Sequence, residues 1–442
     1  MEDASENSAE PPMLSQALKA LDDPTAPISH ALKHYAASRI YQAIESCFAH
    51  WENVPDLCNA NLYFDYLNAL EEAQDRRDFQ LATQGYLARL QNAHTLFIDH
   101  TLQKNASFGF WARPLPVSAA EPHNLVWTVY STIRADLHLG DVIKEVNALP
   151  ADEFFLHYTK FVSASKPEAA TYNLLRGYSF LFPDQLDLTL ADGRKLLVSR
   201  KGATNPSLHQ NKAKLDTTAE HPRLIIGSFA KPEFEEQALT FLKQLDNHSP
   251  LILDLRGNGG GDTPMRLMKK LCLEPIPIWQ EHTPQFTALQ KAQQSLAAFQ
   301  NGKLSAHHKQ PNAQTTTMKQ FTNGETIPVD PEPFQGQLIV LIDISSCSAT
   351  EDLLIPLKHS GRATIIGEAS AGSTGQPCFE APLPHTQLMV STKRTAFPDG
   401  TQFEGIGIQP DHPVMPTAED IQQGNDPALA LAQQLLGKTV PA

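Results

Sequence analysis

The chain has no long apolar run, no basic block and no paired cysteines, and each gap removes a class of function. None of its 442 residues fall in a stretch approaching the roughly 18–20 apolar residues that cross a bilayer, so no membrane span is expected. Lys and Arg number 35 against 49 Asp and Glu, a formal charge of −14. Without a Lys/Arg-rich patch, neither a nucleic acid nor an anionic membrane has an electrostatic footprint to bind. The five cysteines (Cys47, Cys58, Cys272, Cys347, Cys378) show no CxxC pair and no zinc spacing, which predicts reduced thiols or at most one disulfide. The first residues, MEDASENSAEPP, lack the basic-then-apolar pattern of a leader, so the chain as written reads as cytoplasmic, with a periplasmic or cell-envelope site as the alternative if a leader was removed.

Length alone argues for two or three domains, and composition along the chain suggests where they lie. Residues 1–12 are acidic and read as disordered. From 13 to 105, apolar residues recur at helical spacing with breaks at Pro24, Pro27 and Pro55, predicting a helical domain of four or five segments. Residues 106–202 are strand-rich: LVWTVY reads as a strand, LHLGDVIKEVNALPADEF as strand, turn and strand leading into a helix, and LDLTLADGRKLLVSR as a hairpin turning at Asp192-Gly193. From 220 to 442 short apolar runs alternate with helical segments. RLIIGSF and LILDLRG flank a helix over 233–244, and QLIVLID and RATIIGE flank one over 349–359, a βαβ pattern. A polar insertion with some helix is expected over 281–336. The fold class is therefore multidomain α/β.

Chemistry concentrates at two strand ends. Residues 251–261, LILDLRGNGGG, break from an apolar run into one carboxylate, one guanidinium, one amide and three glycines. Gly259, Gly260 and Gly261 let the main chain turn tightly and bring free N–H groups to a ligand. Such amides bind oxyanions or phosphates. Neither a P-loop lysine nor a GxGxxG spacing follows, which argues against a nucleotide and for acyl transfer. QLIVLIDISSCSATEDLL then places Ser348 where a buried strand hands over to a helix, with the Ala349 amide as a neighbouring donor. Serines at such junctions often only cap the helix, and Ser345, Ser346 and Ser348 are all open to that reading.

These segments together resemble the tail-specific, or C-terminal processing, serine peptidases, whose relatives include the tricorn core protease. DLRGNGGG is similar to the family's Asp-x-Arg-x-Asn-x-Gly-Gly turn, SCSATEDL to its Ser-Ala-x-Glu segment, and FEGIGIQPDHPV to its closing Glu-Gly-x-Gly-Ile-x-Pro-Asp segment. LGDVIKEVNALPADEF resembles the core of the PDZ-like domain that many members carry, and the likeness covers most of 110–414. It implies a helical N-terminal domain, a PDZ-like domain and a ClpP/crotonase-like catalytic domain. It also implies Ser348 as nucleophile, with an oxyanion hole from the amides of Gly260, Gly259 and Ala349.

The base departs from the best-known pattern. In IIGEASAGSTGQP, Ser373 stands where many members have a lysine, and Gln376 falls one residue short of the glutamine position. A hydroxyl still needs a neutral partner able to accept its proton near pH 7, which points to histidine. In the tricorn-like branch a histidine from the N-terminal region and a late glutamate supply these roles. By that resemblance His94, in QNAHTLF, is the base, although Asn92-Ala93 replaces Asp-Gly, and Glu404 is the group on its other nitrogen. The bland alternatives are an ordinary hydrogen-bonded histidine and a solvated strand-end charge.

Asp254 and Arg256 read as a structural pair shaping the glycine turn, Glu351 as either a loop pin or a helix-start acid, and Cys347 as packing. His307-His308 has no ligand at suitable spacing, so no metal and no cofactor are expected. The activity implied is serine endopeptidase action on a peptide or protein substrate, with a homo-oligomer left open as the assembly state. A non-catalytic peptide or hydrophobic-ligand binder, favoured by the missing lysine, and an esterase remain the rivals.

Overall fold

The computed structural model describes residues 12–23, 25–103, 107–206, 213–285, 301, 318–320, 322 and 325–437. It opens with helices α1 (Pro12–Ala20), α2 (His30–Cys47), α3 (Asn59–Glu72) and α4 (Arg76–Ala88). Side-chain oxygens start two of them: Ser29 accepts the Leu32 N–H at 3.3 Å and Asp75 accepts that of Asp78 at 2.9 Å. On α2 the buried residues Leu32, Ala36, Ile40, Ala43 and Ile44 recur every three or four positions, one apolar stripe against α3 and α4. Strand β1 (Leu96–Asp99) and the one-turn α5 (His100–Gln103) follow.

Strands β2 (Phe110–Pro116), β3 (Leu125–Thr132), β4 (Val142–Val146) and β5 (Leu149–Pro150), helices α6 (Ala151–Thr159) and α7 (Pro167–Gly177), and strands β6 (Gln185–Leu190) and β7 (Lys195–Ser199) build an antiparallel sheet of order β2-β3-β4-β6-β7, with β5 on β4. The expected hairpin is present, and Gly193 (φ 90°) supplies its left-handed turn residue. Aromatics fill the space between sheet and helices: Trp127 and Phe155 lie 4.2 Å apart by ring centroid, with Phe182 beside them.

The rest comprises β8 (Ala213–Asp216), β9 (Arg223–Ile226), α8 (Pro232–Leu242), β10 (Leu251–Asp254), α9 (Met265–Leu271), β11 (Ile276–Pro277), β12 (Gln280–Pro284), β13 (Met318–Gln320), β14 (Thr326–Ile327), β15 (Leu338–Ile342), α10 (Ala349–His359), β16 (Ala363–Gly367), β17 (Pro377–Glu380), β18 (Thr386–Ser391), β19 (Arg394–Ala396), β20 (His412–Pro413), α11 (Ala418–Gln423) and α12 (Pro427–Gly437). The central sheet runs β20-β16-β15-β10-β9-β8, parallel except for β8. Strands β10, β15 and β16 are near-continuous buried apolar runs because both faces are covered. Leu251, Leu253, Leu338, Val340 and Ile365 face α8, α9 and α10, while Ile252, Ile339, Leu341 and Ile366 face α12.

Two expectations change. The helical unit is not built from 13–105 alone: β1 pairs antiparallel with β18, and Leu383, Leu388 and Val390, from the 220–442 segment, pack into the helical core. The described ends of the 281–336 insertion are strands, β12 joining β13 and β19. The helix expected there, His307-His308 and most of the disordered start lie outside the described residues. Among the described residues no helix is long and apolar enough to cross a membrane, and the five cysteines are free thiols.

Candidate active site

Strands β10, β15 and β16 end at one edge of the central sheet, so the segments after them meet where parallel sheets collect their functional loops. Asn258 laces the first two together. Its carbonyl accepts the Cys347 N–H at 3.2 Å and the Thr350 hydroxyl at 3.1 Å, while its side-chain amide donates to Ile226 O at 3.0 Å. Asp343 accepts from the Gly257 amide at 3.1 Å, and Ser345 and Ser346 bond to Asp343 and to Leu255 O, so both are structural. Arg256 forks onto Asp254 (2.9 and 2.7 Å) and Asp426 (2.8 and 2.8 Å), tying the turn to the start of α12.

Ser348 stands at the turn into α10 with φ 57° and ψ −124°, a conformation that costs a residue with a side chain about 1–3 kcal/mol. Its surroundings enforce it. The Ser348 N–H donates to Ser373 O at 3.0 Å and to a Glu351 carboxylate oxygen at 3.1 Å. Glu351 is wholly buried and also accepts from the Ser370 hydroxyl (2.5 Å) and the amides of Gly372 (2.8 Å) and Ser373 (3.0 Å). Burial raises its pKa and these bonds oppose the rise. Glu351 therefore pins the loop after β16 to the Ser348 turn. Lys166, at the start of α7, adds a second pin by donating to Ala369 O at 3.2 Å and Ser370 O at 2.5 Å.

His94 crosses 254 positions of sequence to reach this turn: its Nε2 lies 3.2 Å from Ser348 Oγ. Asn92 Oδ1 accepts the His94 N–H and the Thr95 hydroxyl, both at 3.0 Å, and Ser165 Oγ accepts the Ala93 N–H at 3.2 Å. Burial, aided by nearby Lys393, pushes the imidazole down to about 4, so it is neutral near pH 7. With the proton on Nδ1, the Nε2 lone pair faces the serine hydroxyl.

The other ring nitrogen brings a correction. His94 Nδ1 meets Ser373 Oγ at 2.8 Å, not Glu404. Glu404 lies behind the loop because Gly405 N donates to Gly372 O at 2.8 Å, which carries the carboxylate past Ser373 to Thr374. There it accepts from the Thr374 hydroxyl, the Thr374 amide (3.2 Å) and the Thr395 amide (3.3 Å). Burial pushes its carboxyl up to about 8. A second histidine, His50, is fully buried beside it, with Nδ1 3.9 Å from Glu404 and Nε2 2.8 Å from Ser391 Oγ, and burial holds it down at about 3. Nothing in the sequence marks His50 among 17 histidines.

The glycine turn is also revised. Gly260 has φ 93°, and a Cβ there would sit 2.6 Å from Cys347 O and 2.7 Å from Ser348 Cβ, so glycine is required. Its N–H, however, already donates to Asn258 Oδ1 at 2.9 Å. The remaining expected donors are Gly259, which has open space at its Cβ position, and Ala349, the first residue of α10, where helices leave N–H groups unpaired. The Gln376 side chain is exposed, and its carbonyl accepts from the Thr392 hydroxyl. Cys347 Sγ turns to Ser373 O at 3.2 Å, and burial raises its thiol pKa well above the ordinary value, which disfavours a thiolate.

A hydroxyl presented on a strained turn beside a neutral imidazole is the working arrangement of a serine-type peptidase. Residues 224–414, from β9 past β20, match peptidase family S41. The chain thus carries a domain of that serine peptidase family, and the likeness to tail-specific, or C-terminal processing, peptidases read from its motifs is supported. Among solved structures it is similar to mature CPAF (14% identity, TM-score 0.65, 93% of this chain and 99% of that one). It is likewise similar to mature CPAF complexed with lactacystin (12%, 0.62, 92% and 98%) and to a putative peptidase from Parabacteroides merdae (16%, 0.52, 93% and 99%). No curated protein sequence matches it.

Proposed function

We propose that the protein is an endopeptidase that cleaves protein tails or unfolded peptides through an acyl-enzyme on Ser348, with His94 as general base. Ser348 Oγ attacks the peptide carbonyl while its proton passes to His94 Nε2, and the carbonyl oxygen takes the negative charge toward the Gly259 and Ala349 amides. The imidazolium keeps its Nδ1 proton on Ser373 Oγ and gives the other to the leaving amine. Water then repeats the sequence and releases the acid. Ser373, standing in the place of the familiar lysine, orients the histidine. Glu404 and Thr374 set the loop that carries Ser373, so Glu404 is a positioning residue.

The observation that carries this reading is the 3.2 Å approach of His94 Nε2 to Ser348 Oγ. It favours an enzyme over a ligand-binding relative, since it supplies the proton acceptor that the absent lysine leaves wanting. Labelling with a serine-directed fluorophosphonate tests it. Modification of Ser348 in the folded protein that disappears in His94→Ala is expected, and a folded protein that does not label overturns it.

The strand-rich unit is proposed to be PDZ-like and to hold substrate. Strand β7 is an edge of its sheet and carries Leu197, which is 58% exposed, so an extended peptide has both a hydrogen-bonding edge and an apolar contact there. Leu197→Asp, which leaves the contacts of Ser165 and Lys166 with the site in place, should harm cleavage of long peptides more than short ones. Equal loss for both contradicts the tethering role.

A further inference from the structure

Outside the peptidase site, one group of side chains converges with no role in the chemistry above. His30 and His34 lie one helical turn apart on α2, and Glu71 comes from the last turn of α3. His34 Nε2 is 3.2 Å from His30 Nε2 and 3.0 Å from Glu71 Oε1, and His30 Nε2 is 3.0 and 3.1 Å from the two oxygens of Glu71. All three ligand atoms fall within 4.8 Å of one another.

Hydrogen bonding alone satisfies this arrangement poorly. Each imidazole needs a proton on Nε2 to bond the carboxylate, and that puts two N–H groups head to head at 3.2 Å. Moving both protons to Nδ1 instead leaves two nitrogen lone pairs and one carboxylate aimed at a common point. Zinc bonds its nitrogen and oxygen ligands at about 2.0–2.2 Å, so a tetrahedral site has ligand-to-ligand edges of about 3.3–3.5 Å. The three edges here agree to within a few tenths of an ångström. Two imidazoles and one carboxylate are the donor set of a borderline divalent ion such as Zn²⁺, not of Ca²⁺ or Mg²⁺, which take oxygen ligands. Glu71 also stands at a helix C-terminal end, where the backbone dipole favours a cation.

We propose that His30, His34 and Glu71 form a surface site for Zn²⁺ or a similar transition-metal ion that clamps α2 to α3. The side chains are 67%, 35% and 50% exposed, so water completes the coordination from the open side. The site is separate from the Ser348 centre and stands whether or not the peptidase reading holds.

The test uses the full chain, freed of metal with chelator and titrated with Zn²⁺ in a calorimeter, with Co²⁺ as an optical probe of geometry. Wild-type protein should bind Zn²⁺ at micromolar concentration and give the visible absorption of tetrahedral Co²⁺. Loss of an outer-shell partner alone weakens metal sites by about 10–100-fold, so His34→Ala and Glu71→Gln, each removing a ligand, should weaken binding at least about tenfold. The His30→Ala/His34→Ala double variant should bind one Zn²⁺ fewer than wild type. All three should keep the metal-free circular dichroism spectrum and peptidase activity of wild type, because these side chains lie on the surface. No Zn²⁺ uptake by wild type overturns the proposal, as does uptake unchanged in the double variant or abolished only by His307→Ala/His308→Ala.

Discussion

The two sides of the Ser348–His94 contact are built very differently. On the serine side, four donors converge on buried Glu351, Asn258 bonds both neighbouring loops, and Arg256 is clamped by two carboxylates. Every one of these residues lies in or beside a loop that a parallel strand delivers to the same sheet edge. On the histidine side, a short turn is held mainly by Asn92, by one contact to Ser165 and by the bond from Ser391 N to Thr95 Oγ1. The Ser348 hydroxyl is thus fixed by dense local bonding, and the His94 imidazole by a long-range closure. Rigidity on one side and reach on the other divide the work of assembling the pair.

The sharpest way to break this comparison is to remove each half. Groups that act as one unit lose similar amounts when deleted singly, so Ser348→Ala and His94→Ala should each lower kcat by about a million-fold. Peptide hydrolysis by His94→Ala within tenfold of wild type would show that the histidine side takes no part. Next in size is Gly260→Ala, whose methyl group collides with Cys347 O and displaces the turn. Its kcat should fall by about a hundred- to thousand-fold, as for loss of an oxyanion donor. Ser373→Ala frees the imidazole to swing, and a misplacement of an ångström costs about a hundred-fold. A fall confined to KM would remove Ser373 from its orienting role.

Stability should show the same asymmetry on a smaller scale. Glu351→Ala strands several buried donors and should lower unfolding stability by at least about 3 kcal/mol, whereas Asn92→Ala should cost about 1–2 kcal/mol, both read from denaturant midpoints. Equal losses would erase the contrast.

Proton linkage sharpens it further. His94 and His50 have folded pKa values near 4 and 3, below the ordinary 6.5, so the unfolded chain binds more protons and stability falls as pH drops from 6.5 toward those values. Glu404 runs the other way. Its folded pKa near 8 exceeds the ordinary 4.5, so the folded state holds the extra proton, and stability falls as pH rises from 4.5 through 8. Glu404→Gln should flatten only the alkaline limb of a Tm-against-pH curve. In kcat/KM, the base should titrate near pH 4, well below an exposed histidine.

How much of this was legible follows the same division. Strands β10, β15 and β16 stood out as unbroken apolar runs because a parallel sheet is covered on both faces. Asp192-Gly193 announced its hairpin, and the glycines and Ser348 marked the strand ends, because turn chemistry is encoded where it is used. Assigning Glu404 to the histidine failed. Sequence neighbours Ser373 and Thr374 look equivalent, yet the first meets His94 and the second meets Glu404, and only the packing of Gly405 behind Gly372 decides which. His50 and Asp426 were invisible for the same reason, since their partners lie hundreds of positions or half a domain away. The occupied Gly260 amide was hidden as well, because Asn258 folds back two residues to take it.

One pairing bears on when during synthesis the Ser348–His94 contact can first form. Leu96–Asp99, which begins two residues after His94, finds its strand partner in Thr386–Ser391. During synthesis, early segments leave the ribosome first and fold as units become available, so a growing chain already displaying Ser348 still lacks the strand that seats the base. Assembly of the Ser348–His94 pair is thereby postponed until residue 391 has emerged, and fragments ending before residue 386 should lack peptidase activity.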